Sequence, residues 1–195
     1  LGSIYWHMVS KLLLAVQETI LRTRGEPETA RLIERYADIR AGQCFNKTPA
    51  DYGAFPTDPY SHTPGGQGAK QPGMTGMVKE EVLARQAELG FTVADGRIVF
   101  DFLLFERGEL LQLPANYDYI DVNGQTRRIT LPVGSLAYTI CQVPVVVQAN
   151  GRAEVVAHLR GGETRRIDGH VLDAETSAHI FQRDGAVERL DVSLG

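Results

Sequence analysis

The chain has 195 residues, 43% of them hydrophobic and 23% charged, with a formal net charge of −4. That length can bury one core or two small ones, and the mild negative charge argues against nucleic-acid or anionic-membrane binding, both of which use a basic stripe. No apolar run reaches the roughly 20 residues that span a bilayer and no secretory leader is legible, so no membrane partner and a cytoplasmic location are expected.

Cys44 and Cys141 stand far apart and are expected to be reduced. His7, His62, His158, His170 and His179 include no pair at helical ligand spacing, and no Cys/His cluster has zinc spacing. Neither a metal nor a cofactor is expected.

Ser3 can cap a first helix running to about Thr23 and stopped by Gly25. Ile4, Met8, Leu12, Val16 and Ile20 recur every four residues, and Tyr5, Val9, Leu13 and Leu14 widen the stripe. A helix this apolar is expected to be buried on most sides. Its Tyr5, Val9, Leu13 and Val16 side is expected to lack cover within this chain and to self-associate. Leu1 is not an initiator and the helix starts almost at once. The expectation is a chain cut from something longer, and a cloning remnant at Leu1-Gly2-Ser3 is compatible with that. A second helix follows Pro27, with Ala30, Ile33, Tyr36 and Ala37 on one face and an end near Gly42. The two form a helical hairpin.

Periodicity vanishes over 43–76, where Pro49, Pro56, Pro59, Pro64 and Pro72 alternate with glycines. A segment this long without regular structure is functional or disordered. Its Phe45, Tyr52, Phe55 and Tyr60 favour an ordered, functional loop. Thr75 then caps a third helix, with Met77, Val78, Val82 and Leu89 on its buried face and Gly90 as its stop.

After Gly90 the pattern turns to alternation and tight turns. Asn123-Gly124, Asn150-Gly151 and Asp184-Gly185 are hairpin dipeptides. They predict pairing of Tyr117–Val122 with Gln125–Leu131, of Val143–Gln148 with Arg152–Leu159, and of Ala178–Gln182 with Ala186–Val192. Arg97–Phe105, apolar on both faces, reads as a central strand. The expected fold is α+β: a helical segment over 1–90, then an antiparallel β-sandwich over 91–195.

The β half carries no Ser/His/Asp motif, phosphate loop or dinucleotide fingerprint. Its His170, Asp173, Glu175 and His179 read as solvated strand-edge groups. The loop holds more. Ser61-His62-Thr63-Pro64-Gly65-Gly66 sets hydroxyls and an imidazole beside residues small enough for backbone N–H groups to approach a ligand. Thr75-Gly76 opens a helix, whose N-terminus favours an anion. These groups suit a phosphate or a sugar hydroxyl. A backbone-bonded loop histidine and plain helix capping are the structural alternatives for His62 and Thr75.

The order of features resembles the end of an inverting disaccharide phosphorylase of the cellobiose and chitobiose type, in the clan of (α/α)6-barrel glycosidases. The residues that carry the resemblance are Tyr5-Trp6-His7 on helix 1, Asp58-Pro59-Tyr60-Ser61-His62-Thr63-Pro64-Gly65-Gly66, Thr75-Gly76, Leu89-Gly90 and the β half opening at Arg97. The resemblance implies that the first 90 residues are the last helices of such a barrel. It also implies that His62, Thr75 and Gly76 hold inorganic phosphate as co-substrate; Thr63, Gly65 and Gly66 are further candidate contacts for substrate or phosphate. Tyr52, Phe55 and Tyr60 are the aromatic sugar-contact candidates. The family's loop tryptophans are replaced by Gln67, Ala69, Lys70 and Gln71. The general acid would lie upstream, on the missing N-terminal part of the enzyme, and Asp58 is the candidate catalytic carboxylate within this chain. The chain is thus expected to be the C-terminal segment of a glycoside phosphorylase or hydrolase, inactive alone, with an oligosaccharide or sugar phosphate as partner. The alternative is a non-catalytic carbohydrate-binding or protein-interaction module.

Overall fold

The computed structural model describes residues 3–4, 6–43, 61–62, 78–149 and 151–195. Contacts divide the chain into two units, Leu1–Ala87 and Glu88–Gly195. Among the described residues no helix is long and apolar enough to cross a membrane.

The first unit is helical. Helix α1 spans Trp6–Arg22, α2 spans Thr29–Gln43, and α3 begins at Val78 and ends at Glu88. Strand β1 (Ser3–Ile4) pairs antiparallel with β2 (Ser61–His62). The buried stripe of α1 is Ser10, Leu13, Gln17 and Ile20, spaced three and four as one face of a helix requires. The four-residue row read from the sequence is not that face. Each four-residue step overshoots a full turn by about 40°, so the row winds away, and Met8 and Leu12 are exposed at 57% and 54%. The side expected to lack cover is also corrected in part, because Leu13 is buried. On α2, Tyr36, Arg40 and Gln43 are buried while Ala30 and Ala37 face solvent. On α3, Ala84 and Glu88 are buried and Val82 is exposed, against expectation.

The second unit is organised by one mixed five-stranded sheet rather than a sandwich of two antiparallel sheets. Its strands are β7 (Ser135–Ile140), β8 (Val143–Gln148), β9 (Glu154–Leu159), β10 (Thr164–Asp168) and β11 (Val187–Ser193), in the order β10-β9-β11-β8-β7. Strand β11 runs parallel to β8 and antiparallel to β9. It occupies the place between them, so the expected β8–β9 hairpin across Asn150-Gly151 does not form. The apolar run Val143–Val147 is buried on both faces, as a central strand with a parallel neighbour should be.

Two further expectations change. Residues around 178–182 form helix α4 (Ala174–Gln182), not a strand. Asp173 caps it, its Oδ1 accepting from Thr176 N–H at 2.7 Å. Arg183 closes it in the left-handed region at φ 55°, so Asp184-Gly185 is a helix exit and not a hairpin turn. The strand expected over Arg97–Phe105 stops at Phe100. This β4 (Arg97–Phe100) pairs with β3 (Phe91–Ala94) across Asp95-Gly96, both at positive φ. The hairpin β5 (Ala115–Ile120) with β6 (Thr126–Leu131) forms across Asn123-Gly124 as expected.

The core joins β4 and α4 to one face of the sheet: Ile98, Phe100, Leu172 and Ile180 meet Val145, Val155, Leu190 and Val192. Gly90 stands at φ +79°, where a Cβ would run into the Phe102 ring, so the turn from α3 to β3 needs a glycine. The Tyr138 hydroxyl donates to the Leu89 carbonyl at 3.2 Å, and burial pushes its phenol well above the usual range.

Leu190 has no exposed surface, so Leu190→Ala should cost about 2–5 kcal/mol, read as a lower urea midpoint. Burial raises the Asp173 carboxyl, but the Thr176 N–H and hydroxyl together with Arg165 outweigh it, and the net shift is downward. A carboxyl depressed on folding stabilises above the ordinary carboxylate range and loses that contribution as pH falls through the depressed value. The urea midpoint should therefore hold near neutrality and drop below about pH 4. Asp173→Asn should flatten the drop.

Candidate functional site

Most of the loop residues singled out from the sequence lie outside the described residues. These are Tyr52, Phe55, Asp58, Tyr60, Thr63, Gly65, Gly66, Thr75 and Gly76. For His62 the backbone is described: it pairs with Ser3, and Ser61 pairs with Ile4. Ser61 and His62 are thereby tied to the residues that lead into α1.

The two ends of the 44–77 segment are joined by a polar network that the sequence does not announce. Arg40 on α2 is only 9% exposed. Its Nη1 donates to Glu81 on α3 at 2.9 and 3.2 Å and to Gln43 Oε1 at 3.3 Å. Gln43 Nε2 donates to Ser10 Oγ at 3.0 Å. Farther along the helices, Gln17 Nε2 donates to the Leu83 carbonyl at 3.2 Å. At the surface Lys11 pairs with Glu80 at 3.1 Å. A backbone N–H, and after it Lys11, holds the Glu80 carboxyl below its usual value. The signal that could have revealed this seam is positional: Arg40 and Gln43 continue the helical face of Tyr36 at intervals of four and three.

In the second unit the polar residues close in sequence do not form one cluster: Asp173 and Glu175 share Arg165, while His170 and His179 have separate partners. His170 Nε2 bonds the Ser193 carbonyl at 2.7 Å while its ring stands edge-on to Phe102. Asp173 caps α4. Glu175 accepts from Arg165 at 3.1 Å, and His179 Nδ1 lies 2.6 Å from Asp184 Oδ2. On the opposite face of the sheet, His158 Nε2 is 2.7 Å from Asp191 Oδ2, an oxygen that also accepts from Arg189 Nη2 at 2.7 Å. These are partnered groups that pin strands and turns. Among the described residues no cluster of three His, Cys, Asp or Glu side chains could hold a metal ion.

Arg40→Ala would leave Glu81 and Gln43 without their shared donor. Loss of a fully buried ion pair costs about 3–5 kcal/mol; with Glu81 30% exposed, about 2–3 kcal/mol is expected here. The exposed pair Arg35–Asp38 is the control, and Arg35→Ala should shift stability by no more than about 1 kcal/mol. Urea unfolding of both variants measures the contrast.

No protein-family model matches the chain, and no curated protein matches it.

Proposed function

We propose that this chain is the closing part of a carbohydrate-active enzyme, a glycoside phosphorylase or hydrolase. Helices α1 to α3 would complete a helical barrel, and the 43–76 segment would supply groups that contact phosphate and sugar. The observation that carries this reading is the β1–β2 pairing, in which Ser3 faces His62 and Ile4 faces Ser61. Two motifs nearly sixty positions apart, Tyr5-Trp6-His7 and His62-Thr63-Pro64-Gly65-Gly66, adjoin one strand pair. The resemblance draws on both motifs. The exposed Met8 and Leu12 on α1 are a second support, because a barrel helix buries such a row against a neighbour.

In this reading the His62 imidazole, Thr75 and Gly76 hold the nucleophile. In an inverting reaction phosphate takes the place of water, while a carboxylic acid on the other side of the bond protonates the leaving oxygen. The acid belongs to an earlier barrel element, and Asp58 is the carboxylate of this chain nearest the motif. A helix terminus contributes only about 0.3–1 kcal/mol to an exposed anion, so the chain alone binds phosphate weakly.

Titration of the full chain with inorganic phosphate, followed at the His62 ring protons by NMR, should give a saturable shift with Kd on the order of millimolar. His62→Ala and Thr75→Ala should remove or weaken it. A His62 signal indifferent to phosphate overturns the site. The chain alone should turn over no β-linked disaccharide, and turnover abolished by Asp58→Asn would make Asp58 the catalytic carboxylate.

A further inference from the structure

Strands β7 and β9 finish, and β8 and β11 begin, at the same end of the five-stranded sheet. Four chain reversals meet there: the β5–β6 turn, the Cys141-Gln142 turn, the exit from β9 at Arg160, and the entry to β11 at Gly185. Between them lies a half-open cleft of about 280 Å³.

Both apolar and polar side chains line the cleft. Val122, Val143 and Val187 line it together with Tyr119, whose phenol is pushed up mainly by burial and so remains a neutral donor. Around them stand Asn123, Gln142 and Glu188. Charge is balanced, with Arg127 and Arg160 against Asp121 and Glu188. Both guanidiniums already have partners: Arg127 Nε donates to Asp121 Oδ2 at 2.8 Å, and Arg160 Nη2 to the Asp184 carbonyl at 2.8 Å. The Glu188 carboxylate, the Asn123 carboxamide and the Gln142 side-chain oxygen accept or donate no hydrogen bond among the described residues.

The walls are held in place at some cost. Cys141 and Gln142 both occupy the left-handed region, at φ 48° and 69°, without being glycine, a strain of about 1–3 kcal/mol each. Gln142 Nε2 ties that turn to the Asp121 carbonyl at 2.9 Å, fixing one rim to another. Opposite, Gly185 sits at φ +74°, and a Cβ there would strike the Arg160 guanidinium and crowd Val122.

We propose that this cleft binds one neutral, hydroxyl-rich ring, a single sugar residue. A sugar is itself amphipathic, with a C–H face suited to the valine and tyrosine side chains and a rim of hydroxyls that both donate and accept. The unused groups offer the matching set: a carboxylate and a carboxamide oxygen to accept, a carboxamide N–H₂ and a phenol to donate. A free anion would meet Glu188 and Asp121, and a cation would meet the two arginines. The volume stands at the lower limit of small-ligand sites, about 300 Å³, which restricts the occupant to one ring. This inference rests on the second unit alone and is independent of the phosphate site.

Titration of the full chain with methyl β-D-glucoside, N-acetylglucosamine and cellobiose, followed by backbone amide NMR, tests it. At least one sugar should move the Asn123, Gln142 and Gly185 amides saturably, with Kd on the order of millimolar. Glu188→Ala, at the exposed register shift that opens β11, and Asn123→Ala, in an exposed turn, should each weaken binding about fivefold while leaving the remaining spectrum unchanged. Excess phosphate should not compete. Absence of saturable shifts with all three sugars overturns the proposal, as do shifts indifferent to both substitutions. Competition by phosphate also overturns it, since the cleft would then be an anion site. Because the phosphate experiment is read at His62 and this one at Asn123 and Gln142, failure of either leaves the other intact.

Discussion

The second unit depends on one insertion: the last strand of the chain, β11, lies between β8 and β9. Its Leu190 faces Val145 on one side and Ala157 on the other, with Val192 between Val147 and Val155. All six residues are buried and belong to one cluster. Without β11, β8 would lose its parallel partner and β9 its inner neighbour, leaving two separate hairpins with their apolar faces in water. Helix α4 follows from the same constraint. The chain leaves β10 at one edge and must return to the middle of the sheet, and α4 makes that return while covering the core with Ile180. The reversals bordering the cleft meet at one end because strand order puts them there.

The helical unit is arranged the other way round. Its buried seam is largely polar, running through Ser10, Gln17, Tyr36, Arg40 and Gln43, while Met8, Leu12 and Val82 lie exposed. Buried polar groups add little net stability but cost heavily when unpaired. Removing one partner from such a seam therefore costs more than the complete seam adds. The exposed apolar row on α1 is the feature that the proposed barrel would cover. The Arg40–Glu81 ion pair holds the end of α2 to the start of α3, and the intervening segment carries the groups proposed to hold phosphate.

Much of the element content was legible from residue order. The three helices of the first unit stand within a few residues of their expected bounds, since Gly25, Pro27 and Gly90 punctuate them. Their buried faces were less legible, because hydropathy weights Met8 and Val82 above Ser10 and Gln43, and only the neighbouring helices decide which side is covered. In the second unit Asn123-Gly124 announced its hairpin correctly. Asp184-Gly185 did not, because a residue pair that tolerates positive φ serves a helix exit as well as a hairpin. Asp95-Gly96 is a hairpin turn that the apolar run beyond it concealed.

The sequence by itself determined that the chain changes from helical to β-rich near Gly90, because period and turn residues are local properties. It also marked Val143–Val147 as a strand-length apolar run, which the sheet buries on both faces. Tertiary structure alone decided that β8 and β9, neighbours in sequence, stand apart, because strand pairing depends on which apolar faces can be buried together across the whole unit. It alone gathered Tyr119, Asn123, Gln142, Arg160 and Glu188 around one cleft. Those residues come from four separate reversals, and no spacing rule links them. Their proximity follows from β11 entering the sheet where it does.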